Sequence, residues 1–248
     1  MDKCNKDSLK VNRANPVNKK EFYLECEKHW VYWLLIAVGG YYGAYTYTVR
    51  GGIFCNAQTA NVVLLSMALG TKRWLDAAYL LIPISSYFLG TIIAEILGRR
   101  EKAPGHLRWD TILVGVEIPT VIILGALPAS APDQICQVTL NFLCAMVFNT
   151  FRSNQGVPMA TTFVTNHIRQ SGRNIIISAL DRDEGASLRW KIHLSMILMF
   201  LLGGIIAAIV AEYVGVRSIW GTVPILLYVF IKLVIADRTY EDDIATKG

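Results

Sequence analysis

Residues 48–61 read TVRGGIFCNAQTAN and residues 150–166 read TFRSNQGVPMATTFVTN, and each stretch follows an apolar run long enough to cross a bilayer. In both, a Thr-x-Arg ending gives way to small or polar residues with glycine, and then to a cluster of amides and hydroxyls. Backbone groups left unpaired in hydrocarbon are costly, so interrupted chain at membrane depth is tolerated only where protein buries it or where it lines a polar cavity. A matched pair of such interruptions, one in each half of a chain, points to a transport site.

Outward from these stretches the chain is apolar. Of 248 residues 53% are hydrophobic and 17% charged, and the mean hydropathy is +0.39, a balance that excludes an ordinary soluble domain. Runs near the ~20 residues that a bilayer requires lie at Trp30 to Val49, Trp74 to Gly98, Trp109 to Leu127, Asp133 to Phe151, Trp190 to Val214 and Ile219 to Ala236. The expected fold is therefore all-α, a polytopic membrane protein with six transmembrane helices. Trp30, Trp33, Trp74, Trp109, Trp190 and Trp220 all fall in the first turns of those runs, at the depth where amphipathic rings prefer to sit.

Basic residues give the orientation. Lys3, Lys6, Lys10, Arg13, Lys19, Lys20 and Lys28 precede the first run, and Arg99, Arg100, Lys102, Arg108, Arg169, Arg173, Arg182 and Arg189 occupy the second and fourth connections. Only Lys72, Arg73 and Arg217 fall on the other side, so both termini are expected in the cytoplasm. The net charge of +5 is accounted for by this bias. No nucleic-acid partner is expected, while the basic tail suits anionic membrane lipid. The first 29 residues lack a short apolar core with a cleavage site, so a removable signal peptide is not expected.

The two halves align in order. Phe88-Leu89-Gly90-Thr91-Ile92-Ile93-Ala94 matches Leu201-Leu202-Gly203-Gly204-Ile205-Ile206-Ala207, and each half runs helix, polar interruption, helix, helix. Three crossings per unit make the copies enter from opposite faces, an inverted 3+3 repeat with two interrupted segments that are re-entrant or broken. The expected organisation is a basic tail at 1–29, repeats at 30–128 and 129–236, an interfacial segment at 169–189 within the second, and a cytoplasmic tail at 237–248. A rival count makes residues 51–70 and 153–170 full spans, eight crossings in all, but places Arg99, Arg100, Lys102 and Arg108 outside, against the charge bias.

The candidate solute-binding residues are Arg50, Asn56, Gln58, Thr59 and Asn61 from the first interruption, with Arg152, Asn154, Gln155, Thr161, Thr162, Thr165 and Asn166 from the second. Unwound amides and half-helix N-termini create positive potential that favours an anionic or polar group, and the two stretches are expected to meet in one central pocket. The competing reading has these side chains only satisfy the broken backbone, with both arginines reaching to the interface from helix ends. Glu117, in GVEIPT near the middle of a run, is the candidate proton carrier. Glu95 with Arg99, and Glu212 with Arg217, fit ordinary pairing at helix ends.

Metal and covalent chemistry are not expected. His29, His106, His167 and His193 are scattered, the five cysteines form no CxxC, and GxSxG, HExxH and P-loop patterns are missing. No cofactor and no enzymatic activity are expected. The reading is a small secondary transporter moving a small polar or anionic solute by alternating access. Its rivals are a channel whose filter is made by two half-helices, and a membrane sensor or partner subunit. A homodimer is plausible for so small a bundle.

At GGIFCNAQTANVVLLSMALG followed by YLLIPISSYFLG, the chain resembles the YoaK-like family of small bacterial membrane proteins of unknown function. Asn56, Thr59 and Asn61 stand at the polar positions of the family's first motif, with Ala60 in place of its usual glycine. Thr161, Thr162 and Thr165 fit the second motif, where Asn166 replaces a glycine. The resemblance implies six membrane helices and a bacterial inner membrane, and brings no substrate.

Overall fold

The computed structural model describes residues 23–99, 107–159 and 164–247, so Thr161 and Thr162 lie outside the described residues. Helices form at all six apolar runs: α1 (His29–Val49), α3 (Trp74–Gly98), α4 (Trp109–Ala126), α5 (Asp133–Thr150), α7 (Glu184–Val214) and α8 (Val223–Lys247). Two further helices follow the interruptions, α2 (Gln58–Gly70) and α6 (Val164–Asp181), and a two-residue hairpin, β1 (Ser153–Asn154) with β2 (Val157–Pro158), lies before α6.

Three helical stretches are long and apolar enough to cross a membrane: Trp74–Gly98, Trp109–Ala126, and the run Glu184–Thr239 that contains α7 and α8. Their outward residues, such as Leu75, Phe88, Ile123, Leu201 and Ile231, remain exposed, as befits helices with a lipid-facing side. Helices α1 and α5 are less apolar because they are wrapped: α1 buries Val31, Tyr32, Leu35, Ile36, Tyr41, Tyr42 and Tyr45, and α5 buries Gln137, Leu140, Asn141 and Cys144. A helix shielded by its neighbours can carry tyrosines and amides that lipid would penalise.

Glycine sets the closest packing. A Cβ built on Gly203 of α7 would stand 1.9 Å from the Ala37 carbonyl oxygen of α1, and one on Gly40 of α1 would stand 2.1 Å from that of Phe200. A Cβ on Gly90 of α3 would lie 2.7 Å from the Phe142 carbonyl oxygen of α5. Thus α1 packs along α7 and α3 along α5, backbone against backbone, while α2 lies on α3, α6 on α7 and α4 on α8. Side-chain ties run in register along the second seam, Gln134 to Tyr79, Ser86 to Val138 and Asn149 to Thr91, so α3 and α5 are parallel.

Several boundaries differ from expectation. Helix α7 begins at Glu184, before Trp190, because the Asp183 carboxylate caps it, accepting from the Ala186 amide at 3.1 Å. The segment expected along the interface at 169–189 is split between α6 and the start of α7. Helix α6 turns His167, Ser171 and Asn174 inward at helical spacing, and Arg189 donates to the Asn174 side chain at 3.1 Å. Helix α8 starts at Val223 after a 3-10 stretch, Gly215–Thr222, and runs through the stretch expected as a tail. Glu212 and Arg217 form no ion pair, since Gly215, at φ 57°, ends α7 between them. Glu95 and Arg99 do pair, at 2.9 Å. With 13 residues, α2 reaches only about 20 Å and is too short to be a span.

Candidate functional site

The first interruption turns back into the bundle. Gly51 and Gly52 have φ values of 76° and 75°, a left-handed pair that only glycine adopts cheaply, so the chain reverses directly after Arg50. It then descends along α1. The Asn56 side-chain amide donates to the Gly39 carbonyl at 2.7 Å, and a Cβ on Gly43 would lie 2.9 Å from that amide. Gly39 is halfway along α1, so the Asn56 side chain reaches the middle of the helix, while the Cys55 backbone stands about one turn below its end. The Cys55 amide donates to Thr46 Oγ1 at 3.3 Å, and the Asn61 amide to the Phe54 carbonyl at 2.7 Å, which gives the irregular backbone partners of the kind it lacks in lipid.

A polar stripe on α5 receives this segment. Asp133, Gln137 and Asn141 recur at a spacing of four residues and so share one face. Gln137 donates to the Arg50 carbonyl at 2.7 Å, Asn141 donates to the Gln137 carbonyl at 2.7 Å, and Gln58 donates to Asn141 Oδ1 at 2.6 Å. Arg50, Gln137, Asn141, Gln58 and Asn61 thereby form one ladder from the end of α1 to mid-bundle. Thr59, in contrast, is exposed and lies off it.

Below the ladder sits Glu117, 1% exposed. Tyr42 of α1 and Cys144 of α5 are its neighbours, Thr222 stands on the far side of Tyr42, and the Cys144 thiol lies 3.6 Å from Cys55 Sγ. Neither Tyr42 Oη nor Glu117 Oε2 makes a hydrogen bond. Pro119, two residues on in α4, lacks the amide that would bond the Gly115 carbonyl, which loosens the helix next to the carboxyl.

Arg50 is wholly buried at the top of the ladder. Its Nε donates to Tyr45 Oη at 3.2 Å, Tyr45 in turn donates to the Val216 carbonyl at 3.0 Å, and Nη1 lies 3.6 Å from Asp133 Oδ1. Burial distinguishes it from a side chain reaching for the interface.

The second interruption is built differently. Gln155 and Gly156, at φ 48° and 77°, form the two-residue turn of the hairpin, the left-handed pair that matches strand twist. The hairpin is held at the start of α1: Tyr32 donates to the Ser153 carbonyl at 2.7 Å, and the Gln155 amide donates to the Glu27 carbonyl at 3.0 Å. Asn154 is buried beside His29, where neither its side-chain nitrogen nor its oxygen completes a hydrogen bond. Arg152 is half-exposed and pairs with Glu95. Thr165 is exposed, and Asn166 accepts from Arg169 at 3.1 Å.

The structure therefore gathers Arg50, Asn56, Gln58, Asn61 and Glu117 into one buried region. It fastens Arg152, Asn154 and Gln155 to the opposite end of α1, and no contact joins the two sets among the described residues. Asp133, Gln137, Asn141 and Tyr42 were missed, although the four-residue spacing of the first three within an apolar run was the available signal.

At that opposite end a cavity of about 800 Å³ opens against the second interruption, lined by Tyr32, Glu95, Arg99, Arg108, Phe151 and Arg152 among others. Cys26 borders it, and burial, with Asp110 beside it, pushes this thiol well up from its usual range. Among the described residues no group of three or more metal-ligating side chains occurs.

Comparison with known proteins gives no match among curated proteins or solved structures. The family pattern described as "Protein of unknown function (DUF1275)" matches residues 31–232, which takes in both interruptions, α2 to α7 whole, most of α1 and the first part of α8, and the chain belongs to that family.

Proposed function

We propose that the chain is a small secondary transporter that moves a small polar or anionic solute across a bacterial inner membrane by alternating access, with Glu117 carrying a proton. One observation carries the reading. An interrupted segment dips toward mid-bundle and sets a ladder of buried and half-buried amides near a buried carboxyl group that has, among the described residues, no cationic partner in hydrogen-bonding or ion-pair contact. A purely structural core would not retain that combination without a use for it, because an isolated buried carboxyl costs stability unless it is neutral or paired.

The arrangement of helices supports six crossings and an inverted repeat. Exchanging α1 with α5, α2 with α6, α3 with α7 and α4 with α8 turns α1 on α7 into α5 on α3, turns α2 on α3 into α6 on α7, and leaves α4 on α8 unchanged. With the basic tail and connections inside, the cavity beside Arg152 faces the cytoplasm and the Arg50 end faces outward. Arg50 has no exposed surface at its end, while a cavity opens at the Arg152 end, an asymmetry of the kind that each state of alternating access requires. In that cycle Arg152 lines the inner approach.

Reconstitution tests this. Proteoliposomes containing the protein should take up solute in a saturable manner driven by a proton gradient. Glu117→Gln should lower gradient-driven uptake by about tenfold or more while leaving the folded yield intact. Fast, unsaturated flux would favour a channel, and absence of flux for every solute class would favour a sensor or partner subunit. Size-exclusion chromatography with light scattering decides whether the protein is a homodimer.

A further inference from the structure

We infer that Arg50 is the anion-recognising residue of this site and that the solute carries a single carboxylate, which takes over the place that Asp133 holds in this structure. The inference rests on the transport reading only for its meaning, since the binding step stands on its own geometry.

Arg50 has no exposed surface, yet Nη1 and Nη2 make no hydrogen bond among the described residues. Its Nε alone is satisfied, by Tyr45. A guanidinium presents five donors in a planar fork that matches a carboxylate edge to edge, with charge-assisted bonds near ~2.8 Å. Asp133 approaches Nη1 only to 3.6 Å, and its side chain is 38% exposed. It balances the charge without filling the fork. A partner that loose and that accessible can turn away to water when a better-shaped anion arrives.

The surroundings fix the class of that anion. The ionisable groups facing Arg50 are Tyr45, Cys136 and Asp133, with no second cation among them. One positive charge, its own surface wholly buried, matches one negative charge, which favours a monocarboxylate over a phosphate or a dicarboxylate. Gly51 keeps the site compact, because a Cβ there would stand 2.8 Å from Gln137 Nε2 and 3.1 Å from Asp133 Oδ2. From Arg50 the ladder of Gln137, Asn141 and Gln58 leads inward along α5, toward Cys144, which neighbours Glu117.

The test uses the full chain in detergent micelles, where no gradient exists. Thermal unfolding is followed in sodium acetate, butyrate and benzoate against sodium chloride and sodium phosphate at matched ionic strength, since a ligand that binds only the folded state raises Tm with concentration. At least one carboxylate should raise Tm beyond chloride and phosphate. Arg50→Lys, which keeps the charge and loses the fork, should weaken the apparent affinity by about tenfold. Asp133→Asn, which removes the resident competitor, should tighten it by about threefold. The inference is overturned if no carboxylate exceeds chloride in the wild-type protein, if Arg50→Lys binds as the wild type does, or if Asp133→Asn binds more weakly. Arg50-dependent binding with no uptake into proteoliposomes keeps this inference and overturns the transport reading. Uptake indifferent to Arg50→Lys does the reverse.

Discussion

The two interruptions begin alike, at Thr-Val-Arg and Thr-Phe-Arg, and then part ways. After Arg50 the chain folds back into the bundle and hydrogen-bonds to the middle of α1, whereas after Arg152 it makes a tight hairpin at the start of α1 and goes no deeper before the described chain breaks off at 159. The first is held mainly by side-chain amides reaching backbone carbonyls, the second mainly by backbone groups. Resemblance in sequence thus marks where a helix stops, while the glycines decide what the chain does next. Two consecutive left-handed glycines permit immediate reversal, and a Gln-Gly pair at the same kind of angles closes a hairpin.

The sharpest way to break this comparison is at those turns. Gly51→Ala combines left-handed strain with contact on Gln137 and Asp133, and should cost about 2–4 kcal/mol. Gly156→Ala meets only Tyr23 Oη, at 3.8 Å, and should cost about 1 kcal/mol. Thermal melts read out by size-exclusion chromatography rank the two, and equal losses would mean that the turns do equivalent work.

Next come the asparagines. Asn56→Ala removes a bond to Gly39 inside the core and should destabilise by about 1–2 kcal/mol. Asn154→Ala removes a buried amide that completes no hydrogen bond, so the same melt should show little change or a small gain. The reverse order would show that the hairpin residue is the one gripped.

The smallest difference concerns charge. Arg152 and Glu95 are both half-exposed, so Arg152→Ala should change stability by less than about 1 kcal/mol, and less still at high salt. A larger loss would show that the end of the bundle at Arg152 relies on this pair as the opposite end relies on Arg50.

Much of this was legible in the chain. A helix stands at each of the six apolar runs, with tryptophan marking the start of α1, α3 and α4 though not of α7 or α8, and both helix breaks fall at Arg50 and Arg152. What could not be read was depth. Both segments carry a left-handed pair, directly after Arg50 in the first and three residues after Arg152 in the second, and the partners that make one dive and the other close a hairpin lie elsewhere in the chain, at Gly39 and Glu27. The start of α7 was hidden because the charged residues up to Arg189 read as connection until Asp183 caps the helix and Arg189 finds Asn174. Part of the site itself was concealed by the assumption that only interrupted stretches carry polar function, since Asp133, Gln137 and Asn141 belong to a continuous helix.

The glycine seams have a mechanical consequence. Where Gly203 sits on the Ala37 carbonyl and Gly40 on that of Phe200, no side chain lies between α1 and α7 to act as a bearing, so neither can slip without lifting away from the other. The two behave as a laminated beam, and α3 with α5 forms a second through Gly90. In the proposed cycle any rocking would fall at the joint between the beams, which Arg50, at the end of one, and Asp133, at the start of the other, together span.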